Sequence, residues 1–387
     1  MDHFFSPTLD ELQRLTQRVV DETIAPRAAE VDEQGLWPAH SMAALGEAGL
    51  LGLQAPRSLG GHGQGLLALG ALTEIIGRAC PSSALCYGMH CVGTAVLAAK
   101  ATPYQTETYL KPIAQGRHIT TLALSERGSG VHFYLPATAL HDEGGALRVR
   151  GTKQFITNGG HADSYVVSTV TAQGSETVGG DFSCVVLDAR TEGLEWDEPW
   201  RGFGMRGNSS RALRIDARVP GQNLLGSQGD QAWYLFEVVT PYFLMAMAGT
   251  YLGIAGAAFE EAAGHVRGRR YAHNGESLAD VETIQTRLAA MWIAVEKTRA
   301  MVREAGARGD AANPDALPYI LACKADAGDT AVSVANDAMT LCGGMAYRDN
   351  SRIAQFLRDA RASHVMSPTT DLLQLWTGRA LLGLPLL

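Results

Sequence analysis

The sequence lacks several features that would place it in a particular class of protein. It has no basic excess, since 32 Lys and Arg stand against 40 Asp and Glu, and the net charge of −8 argues against binding nucleic-acid phosphates as its main function. The N-terminal residues MDHFFSPTLDELQ turn acidic at once and show no signal pattern, so we expect a cytoplasmic protein. No CxxC or other metal-ligand spacing is present, so we expect no metal site. The six cysteines are typical of buried thiols in a reducing compartment: Cys80, Cys86, Cys91, Cys184, Cys323 and Cys342.

What is present is a large apolar content and one long uncharged segment. Hydrophobic residues make up 46% of 387 residues, which predicts two or three packed units rather than disorder. Residues 238–259 carry no charge and are just long enough to span a bilayer. However, Thr240 and Pro241 are typical of a helix N-cap and first position, and charges follow on one face. We therefore expect a buried bundle helix and no membrane span, with close helix contacts at Gly249, Gly253 and Gly256.

The chain changes character twice. Residues 1–118 show helical apolar spacing, and residues 119–232 contain short β-rich runs separated by turn residues, which predict an antiparallel β domain. Residues 233–387 return to long helices joined by short loops, which predict an antiparallel bundle. The helices are expected at about 241–272, 278–307, 317–341 and 350–366, with a last one after Ser367.

Five motifs in order resemble one family. LALSERGSG is similar to a first flavin loop, GTKQFITNGGHADSYVV to a second flavin segment, and GMRGNSSRALRIDARVPGQNLLG to the strand that leaves the β domain. LCGGMAY and RDAR are similar to late bundle motifs. Together they resemble the acyl-CoA dehydrogenases over nearly the whole chain. The resemblance implies an α+β, mainly α fold with an N-terminal helical domain, a middle antiparallel β domain and a C-terminal four-helix bundle. It also implies one FAD per subunit and a homotetramer or homodimer.

The resemblance assigns cofactor residues in the β domain. A flavin needs hydrogen bonds to its ring edge and an apolar wall on one face. Phe155 would form that wall, and the positions of Ser125 and Thr157 lie against the flavin in the family. From the residues alone, FIT could equally be the core of a strand rich in β-branched residues. The matching positions on the two segments are Leu124, Ser125, Phe155, Ile156 and Thr157.

Further cofactor positions fall in the C-terminal helices. Arg269 aligns with an arginine that reaches the FAD pyrophosphate of the neighbouring subunit, although Arg267 and Arg270 in RGRR are alternatives. A glycine pair permits close backbone approach to a cofactor, or simply ends a helix. The remaining cofactor candidates are Thr340, where the family has glutamine, with Gly343, Gly344, Thr369 and Asp371.

On the substrate side the sequence departs from the family pattern. The family serine that helps to hold the pantetheine arm of the thioester aligns with Val131, unless Ser129 replaces it. The bulky residues 132–134 (HFY) follow where the family is small and polar. The difference implies another acyl group, or a carrier protein in place of coenzyme A. Phe243 and Ser367 are the other expected substrate contacts.

The usual catalytic base is missing. Dehydrogenation of a thioester needs a carboxylate to take the α-proton. Most relatives place a glutamate in a Tyr-Glu-Gly-Thr stretch, which reads Met-Ser-Pro-Thr at residues 366–369 here, and the alternative position is Phe243. A serine without an adjacent base cannot do this work, and Ser367-Pro368 also fits a helix N-cap. The catalytic candidates therefore remain Ser367, His364, Glu237 and Tyr242.

The expected reaction is FAD-dependent α,β-dehydrogenation of an acyl thioester, with electron-transfer flavoprotein or oxygen as electron acceptor. The alternative is a flavin-dependent monooxygenase on the same fold, whose relatives lack the carboxylate and can use a histidine near this segment; His364 fits that position. A DNA-associated member of the superfamily would need a basic C-terminal face. Residues 367–387 contain only Arg379 as a base, so we expect no nucleic-acid partner.

Overall fold

The N-terminal part of the chain is helical, as its apolar spacing predicts. The computed structural model describes residues 7–130, 132–171 and 182–387. Residues of α5 are buried over almost the whole helix, because they are apolar or small. The α-helices of this part are α1 (Pro7–Val19), α2 (Ala28–Gln34), α3 (Ala39–Glu47), α4 (Leu66–Ala79), α5 (Pro81–Ala99), α6 (Pro103–Gln105) and α7 (Lys111–Ala114).

The middle part forms one eight-stranded sheet with the order β6-β7-β3-β2-β4-β5-β8, and β1 pairs with β4 beside this path. The expectation of antiparallel pairing is confirmed for most of the sheet but is wrong at two places. β1 and β2 both run parallel to β4. For β2 the reason is that the chain reverses at the β2–β3 hairpin and reverses again between β3 and β4. The strands are β1 (Thr120–Ala123), β2 (Ala139–Asp142), β3 (Ala146–Ile156), β4 (Ser164–Thr171), β5 (Phe182–Asp188), β6 (Leu194–Trp196), β7 (Arg211–Pro220) and β8 (Leu224–Leu225).

The two faces of the sheet contribute to different cores. Alternate residues on β3, β4, β5 and β7 form a separate apolar cluster, which includes Val149, Val167 and Ile215. Residues on the opposite face, such as Val166 and Val186, pack into the large core of the helices. The sheet is thereby fixed against the helical body, and the loops at its ends face α9 and α12.

The long apolar helix begins earlier than the sequence indicates. A short α8 (Gln231–Trp233) continues through a π-helical stretch (Tyr234–Val239) into α9 (Thr240–Gly268) without a break. The expectation that Thr240 is an N-cap is wrong, since its backbone is helical, with φ −57° and ψ −56°. Pro241 can neither donate a helical hydrogen bond nor tolerate the carbonyl four residues back. The wider π-helical turn that precedes it accommodates both defects.

The remaining helices surround α9. They are α10 (Glu282–Asp310), α11 (Ala316–Cys342), α12 (Arg352–Val365) and α13 (Thr370–Leu381). Two helical segments, Pro81–Ala99 and Gln231–Gly268, are long and apolar enough to cross a membrane by length and composition. However, 89% and 83% of their apolar windows are buried inside the protein, as for core helices. Each helix packs closely on its neighbours because small residues lie at the contacts; at Gly253, α9 meets the backbone of α4.

The last helix starts two residues later than expected. Its N-cap is Thr369, whose hydroxyl accepts a hydrogen bond from the Leu372 N–H at 3.4 Å. The interpretation of Ser367-Pro368 as N-cap and first position is therefore wrong. A threonine serves the same purpose as serine at this position, since either hydroxyl oxygen satisfies an otherwise unpaired N–H. Residues 366–369 instead form a turn between α12 and α13.

Candidate active site

A cavity of about 1000 Å³ lies where the sheet loops, α9 and the α12–α13 turn meet, and we call it the main cavity. Its walls combine apolar side chains from several elements, among them Met89 of α5, Leu122 of β1 and Phe243 of α9. Hydroxyl and charged groups interrupt these walls in a few places. An apolar concave site with few polar groups is the usual form of a site for a cofactor and a small substrate.

The sheet side of the main cavity contains most of the expected flavin positions. Leu124, Ser125, Phe155 and Thr157 line it, whereas Ile156 points into the apolar core of the sheet. This follows from strand alternation, which sends neighbouring side chains to opposite faces. The register of β3 against β7 shifts between Lys153 and Ile156, and Phe155 has a φ of 55°. As a result, its ring is 64% exposed and meets Trp200 edge-on, with the ring centroids 6.5 Å apart.

A buried ion pair supports the first loop of this wall. Lys153 Nζ lies 2.7 Å from a Glu126 carboxylate oxygen, and Nζ also donates to Ser168 Oγ at 2.9 Å. Glu126 accepts further hydrogen bonds from the Ala137 and Thr138 N–H groups and from the Thr138 hydroxyl. Burial raises the pKa of Glu126, but the Lys153 charge and these donors outweigh burial and leave the pKa below its ordinary value. Glu126 lines the main cavity, yet it is a poor proton acceptor.

The helical side of the main cavity is formed by α12 and the turn after it. Ser367 and Thr369 line the cavity, as does Arg358. Arg358 binds the carboxylate of Asp32 through both terminal nitrogens and donates to the Phe203 carbonyl at 3.2 Å. These contacts connect α12 to α2 and to the loop before β7, so the relative positions of the two sides are fixed by buried polar contacts.

The neighbouring Asp359 is fully buried and strengthens the same connection. Its Oδ1 accepts a hydrogen bond from the Met205 N–H at 2.6 Å. Burial raises the pKa of Asp359 to about 7. The RDAR motif therefore joins α12 to the loop before β7, with Asp359 holding the loop backbone.

Two of the catalytic candidates lie in a different cavity. Glu237 and Tyr242 line a second cavity of about 1160 Å³, between α9, the ends of α10 and α13, and the loop before α4. Burial raises the pKa of Tyr242 to about 12, so its phenol stays protonated and cannot accept a proton near neutral pH. Thr240 lines both cavities, and its buried hydroxyl has no hydrogen-bond partner within the described residues.

The other candidates near the turn point away from the main cavity. His364 Nε2 lies 2.8 Å from the Asp329 carboxylate on α11, and the histidine does not line the cavity. Asp371 is exposed on α13.

The two substrate candidates on the loop after β1 are not placed in the cavity. The Ser129 hydroxyl donates to the Glu126 carbonyl at 3.0 Å within its own turn. Val131 falls outside the described residues, so its expected contact is not located.

The cofactor residues expected in the C-terminal helices do not line the main cavity of their own chain, apart from Thr369. Arg269 follows the last residue of α9 and is exposed. Thr340, Gly343 and Gly344 are also exposed at the end of α11. Gly343, the C-cap of α11, has φ 60° and ψ −147°, which is not the left-handed helical conformation but a region that essentially only glycine adopts. A Cβ atom at either glycine would meet no atom within 4 Å, so this surface has room for a ligand.

The main cavity fits an isoalloxazine ring by the chemistry of its donors. The Trp200 indole N–H is buried at the cavity wall without a hydrogen-bond partner in the described part of the chain. The Ser125 and Thr157 hydroxyls have no protein partner there either, and Phe155 presents an aromatic face. Unpaired donors beside an aromatic wall match a flat heterocycle whose edge carries hydrogen-bond acceptors.

Several residues of the site were not identified from the sequence. Trp200 and Phe203 follow a turn-rich stretch, and only their aromatic character in DEPWRGFGM could have indicated them. Thr240 was assigned to a cap rather than to a cavity wall. Lys324 was not singled out, although a lone lysine in the apolar run ILACKADA is the kind of signal that marks a buried charge.

Comparison with known proteins agrees with this geometry. Three acyl-CoA dehydrogenase domain models match the chain: the N-terminal domain at residues 6–117, the middle domain at 121–217 and the C-terminal domain at 243–382. The cyclohex-1-ene-1-carbonyl-CoA dehydrogenase of Geobacter metallireducens is 31% identical, over 97% of this chain and 99% of that protein. The enzyme of the same name from Syntrophus aciditrophicus is 30% identical, over 96% and 89%.

A solved structure shows the same architecture. The butyryl-CoA dehydrogenase of Megasphaera elsdenii superimposes with a TM-score of 0.92 at 24% identity, covering 99% of this chain and all of that one. At this identity the superposition establishes the fold, while the domain models and the relatives establish the family. On these grounds the chain belongs to the acyl-CoA dehydrogenase family.

Proposed function

We propose that this enzyme catalyses α,β-dehydrogenation of an acyl thioester in the main cavity without a glutamate in the α12–α13 turn. Membership of the family makes it an FAD-dependent oxidoreductase. The observation that carries the proposal is that the sheet side and the helical side of the main cavity face each other across one space. Hydroxyl and indole donors line the sheet side, and Ser367, at the position where the family resemblance implies the base, lines the helical side.

The residues of the sheet side would hold the cofactor. Phe155 and Trp200 form an aromatic corner, and beside it lie the hydroxyls of Ser125 and Thr157, which have no partner among the residues that the structure describes. Bound FAD supplies the acceptor for the hydride that leaves the substrate β-carbon. Leu122 and Phe243 exclude water from the space between the walls, which strengthens every polar interaction made there.

We further propose that Glu237 receives the α-proton through the Thr240 hydroxyl. The carboxylates that line the described part of the main cavity are Glu126, which is fully hydrogen-bonded, and Asp197, which follows β6 on the sheet side and accepts the Glu198 N–H. Thr240 borders both cavities with an unpaired hydroxyl, and Glu237 lines the second cavity on the other side. A hydroxyl can accept one proton while it donates another, so it can relay a proton from one cavity to the other.

The proposed substrate has two parts, the acyl group and its carrier. The two relatives named above are called dehydrogenases of a cyclic acyl-CoA, which makes an alicyclic acyl group a reasonable first substrate. The residues HFY at 132–134 add bulk beside the cavity, and Phe133 lines it. We propose a thioester of coenzyme A as the substrate, with a carrier-protein thioester as the alternative outcome of the experiment below.

A homotetramer or homodimer would complete the cofactor site. Arg269, Thr340, Gly343 and Gly344 are exposed and do not line the main cavity of their own chain. Bulky apolar side chains accompany them on the surface, with Met345 58% and Tyr347 81% exposed. Apolar residues around an open cofactor surface suggest cover by a second copy. We also propose that electrons leave to electron-transfer flavoprotein or to oxygen, and that the domains are residues 1–118, 119–232 and 233–387.

The monooxygenase alternative gains no support from the site. Its support in the sequence was His364, which fits the position of a histidine that such relatives can use, but this side chain binds Asp329 and does not line the main cavity. Dehydrogenation is therefore the function that the arrangement of the two walls favours.

An anaerobic mixing experiment tests the proposed function. The purified yellow protein is mixed with linear, branched and alicyclic acyl-CoAs and with acyl-carrier-protein thioesters, and the flavin absorbance is followed. We expect bleaching by at least one thioester in the absence of any reductase. If no thioester bleaches the flavin, while a flavin reductase and oxygen give a hydroxylated product, the proposal is wrong.

The proton route needs its own variants. Glu237→Gln and Thr240→Val should each slow bleaching by about 10²-fold, the lower range for loss of a general base, whereas Thr240→Ser should retain the wild-type rate. Glu198→Gln is a matched control, because Glu198 is exposed and lines neither cavity. Equal rates for Thr240→Val and Thr240→Ser would contradict the relay.

A further inference from the structure

A buried lysine lies directly behind the α12–α13 turn. Lys324 of α11 has no exposed surface, and its Nζ donates to the carbonyl oxygens of Ser363 at 2.7 Å, Met366 at 3.2 Å and Pro368 at 2.8 Å. All three ammonium protons can thus be used by one short segment of backbone. Within the described residues no carboxylate contacts Nζ directly; Asp329, one turn further along α11, acts on its charge only from a distance. Burying a charge without a contacting ionic partner costs free energy, so we expect Lys324 to have a function at this position.

The carbonyls that Lys324 binds determine the direction of two N–H groups. The Met366 carbonyl and the Ser367 N–H belong to one peptide unit, as do the Pro368 carbonyl and the Thr369 N–H. In a trans peptide unit the C=O and N–H bonds point in opposite directions. Both carbonyls point to Lys324, so both N–H groups point away from it.

These two N–H groups are free. Neither the Ser367 N–H nor the Thr369 N–H donates to a protein acceptor in the described part of the chain. Both residues line the main cavity, whereas Lys324 does not. Two unpaired backbone donors, on residues that line a cavity and with a cation behind them, form the arrangement that binds a negatively charged oxygen.

Close packing keeps the lysine in this place. A Cβ atom at Gly328, one turn after Lys324, would lie 2.8 Å from both Cβ and Oγ of Ser363, so α11 and α12 are in contact near their backbones. On the other side, the Tyr251 hydroxyl lies 3.3 Å from the Met366 sulfur. The glycine contact brings α11 close enough for Lys324 to reach the carbonyls, and the tyrosine limits sideways movement of the turn.

We propose that Lys324 is a positioning residue, which orients the Ser367 and Thr369 N–H groups as a donor pair for the substrate thioester oxygen. The inference rests on the proposed function. In the family the N–H at the position of Ser367 donates to the thioester carbonyl, so the resemblance already implies that donor. The new elements are the buried cation and the second donor. The cation also polarises both peptide units, which strengthens their N–H groups as donors when negative charge develops on the thioester oxygen.

Two variants separate this role from a merely structural one. Lys324→Met removes the charge and all donors, and Lys324→Gln keeps an amide donor without the charge. Lys297→Met, on the exposed face of α10, is the control for loss of a lysine. Burial lowers the pKa of Lys324 to about 7, so assays at pH 6 keep the wild-type lysine charged. FAD content and the unfolding midpoint are measured first to show that each variant is folded.

The decisive readout is the carbonyl stretch of the bound enoyl-CoA product, measured by isotope-edited infrared spectroscopy beside kcat and KM. The substrate is the acyl-CoA that bleaches the wild-type flavin fastest. We expect the wild-type protein to lower the stretch below that of free enoyl-CoA, and Lys324→Met to return it towards the free value. We also expect kcat to fall by about 10²-fold with little change in KM, since loss of one oxyanion donor costs that much. The carbonyl stretch and the kcat of Lys324→Gln should lie between those of the wild type and those of Lys324→Met.

Each other outcome is informative. A folded Lys324→Met or Lys324→Gln variant with the wild-type stretch and kcat would overturn the inference while leaving the proposed function intact. If Lys324→Met does not fold, Lys324→Gln with reduced kcat and a shifted stretch supports it. If no thioester bleaches the wild-type flavin, the proposed function fails and this inference fails with it.

Discussion

A methyl group at Gly253 should force α9 away from α4. A Cβ atom there would lie 2.5 Å from the Glu74 carbonyl oxygen, 2.8 Å from the Arg78 nitrogen and 2.9 Å from the Gly77 carbonyl carbon. All three atoms belong to the backbone of α4, so no side chain can rotate out of the way. Relief requires the two helices to separate in the centre of the core. Overpacking of this kind costs about 1–3 kcal/mol, and rigid backbone neighbours favour the upper part of that range.

Replacing glycine by alanine also raises helix propensity, which stabilises the protein and opposes the steric cost. The steric cost therefore needs a control on the same helix. Alanine is about 1 kcal/mol better than glycine in a helix interior. Gly264 provides the matched position, because it lies in α9, is exposed, and a Cβ atom there meets nothing within 4 Å. Both substitutions share the propensity gain, so the difference between Gly253→Ala and Gly264→Ala isolates the steric cost.

The assay is urea unfolding of the FAD-saturated protein, followed by far-ultraviolet circular dichroism. FAD must be held at one concentration, since a ligand that binds the folded state raises its apparent stability. We expect the free energy of unfolding of Gly253→Ala to lie about 1–3 kcal/mol below that of Gly264→Ala. Equal stabilities would refute the reasoning, because they would show that α4 and α9 can separate without loss.

Three other predictions concern buried polar groups. Lys153→Met should lower the free energy of unfolding by about 3–5 kcal/mol, because it leaves Glu126 buried without its partner, and adding Glu126→Gln should recover part of the loss; urea unfolding of both variants checks this. Burial lowers the pKa of Lys324 to about 7, far below that of a lysine in the unfolded chain, so the unfolded chain binds more protons between the two pKa values and stability should rise with pH there. From pH 7 to pH 9 the unfolding free energy of the wild type should rise by about 2–3 kcal/mol relative to Lys324→Met, and a pH-independent difference would contradict the shift. Thr369→Ala removes the α13 N-cap and should cost about 1 kcal/mol, whereas Thr369→Ser should cost little; thermal unfolding of the pair distinguishes them.

Much of the fold follows from spacing in the sequence. Helical apolar periodicity located α10 and α11 to within a few residues. The five β-rich runs HITTLALS, LRVRGTKQFIT, SYVVSTVT, FSCVVLD and ALRIDARV located β1, β3, β4, β5 and β7. The short β2, β6 and β8 were missed, since two to four residues carry too little pattern to detect. The parallel pairing of β1 and β2 with β4 was also missed, because strand direction depends on the path of the chain rather than on composition.

The candidate site was predictable where residues adjoin a motif and unpredictable where they depend on packing. Phe155 and Thr157 line the main cavity, as their motif predicts, while Ile156 between them does not. Thr240 was assigned to a helix start because its neighbour is proline, yet the π-helical stretch extends the helix across it. Lys324 acts on a turn more than thirty residues away, a contact that only the packing of α11 against α12 creates.

The apolar interior also determines the order in which the chain can fold. Leu69 and Leu72 of α4 share one core with Met245 and Leu252 of α9, although the sheet separates them in sequence. On a ribosome, which releases the N-terminus first, the early helices would remain without their partners until α9 has emerged. The sheet has its own apolar cluster and can become compact before that moment. Newly made chains should therefore protect the sheet from proteolysis earlier than α4, although α4 is synthesised first.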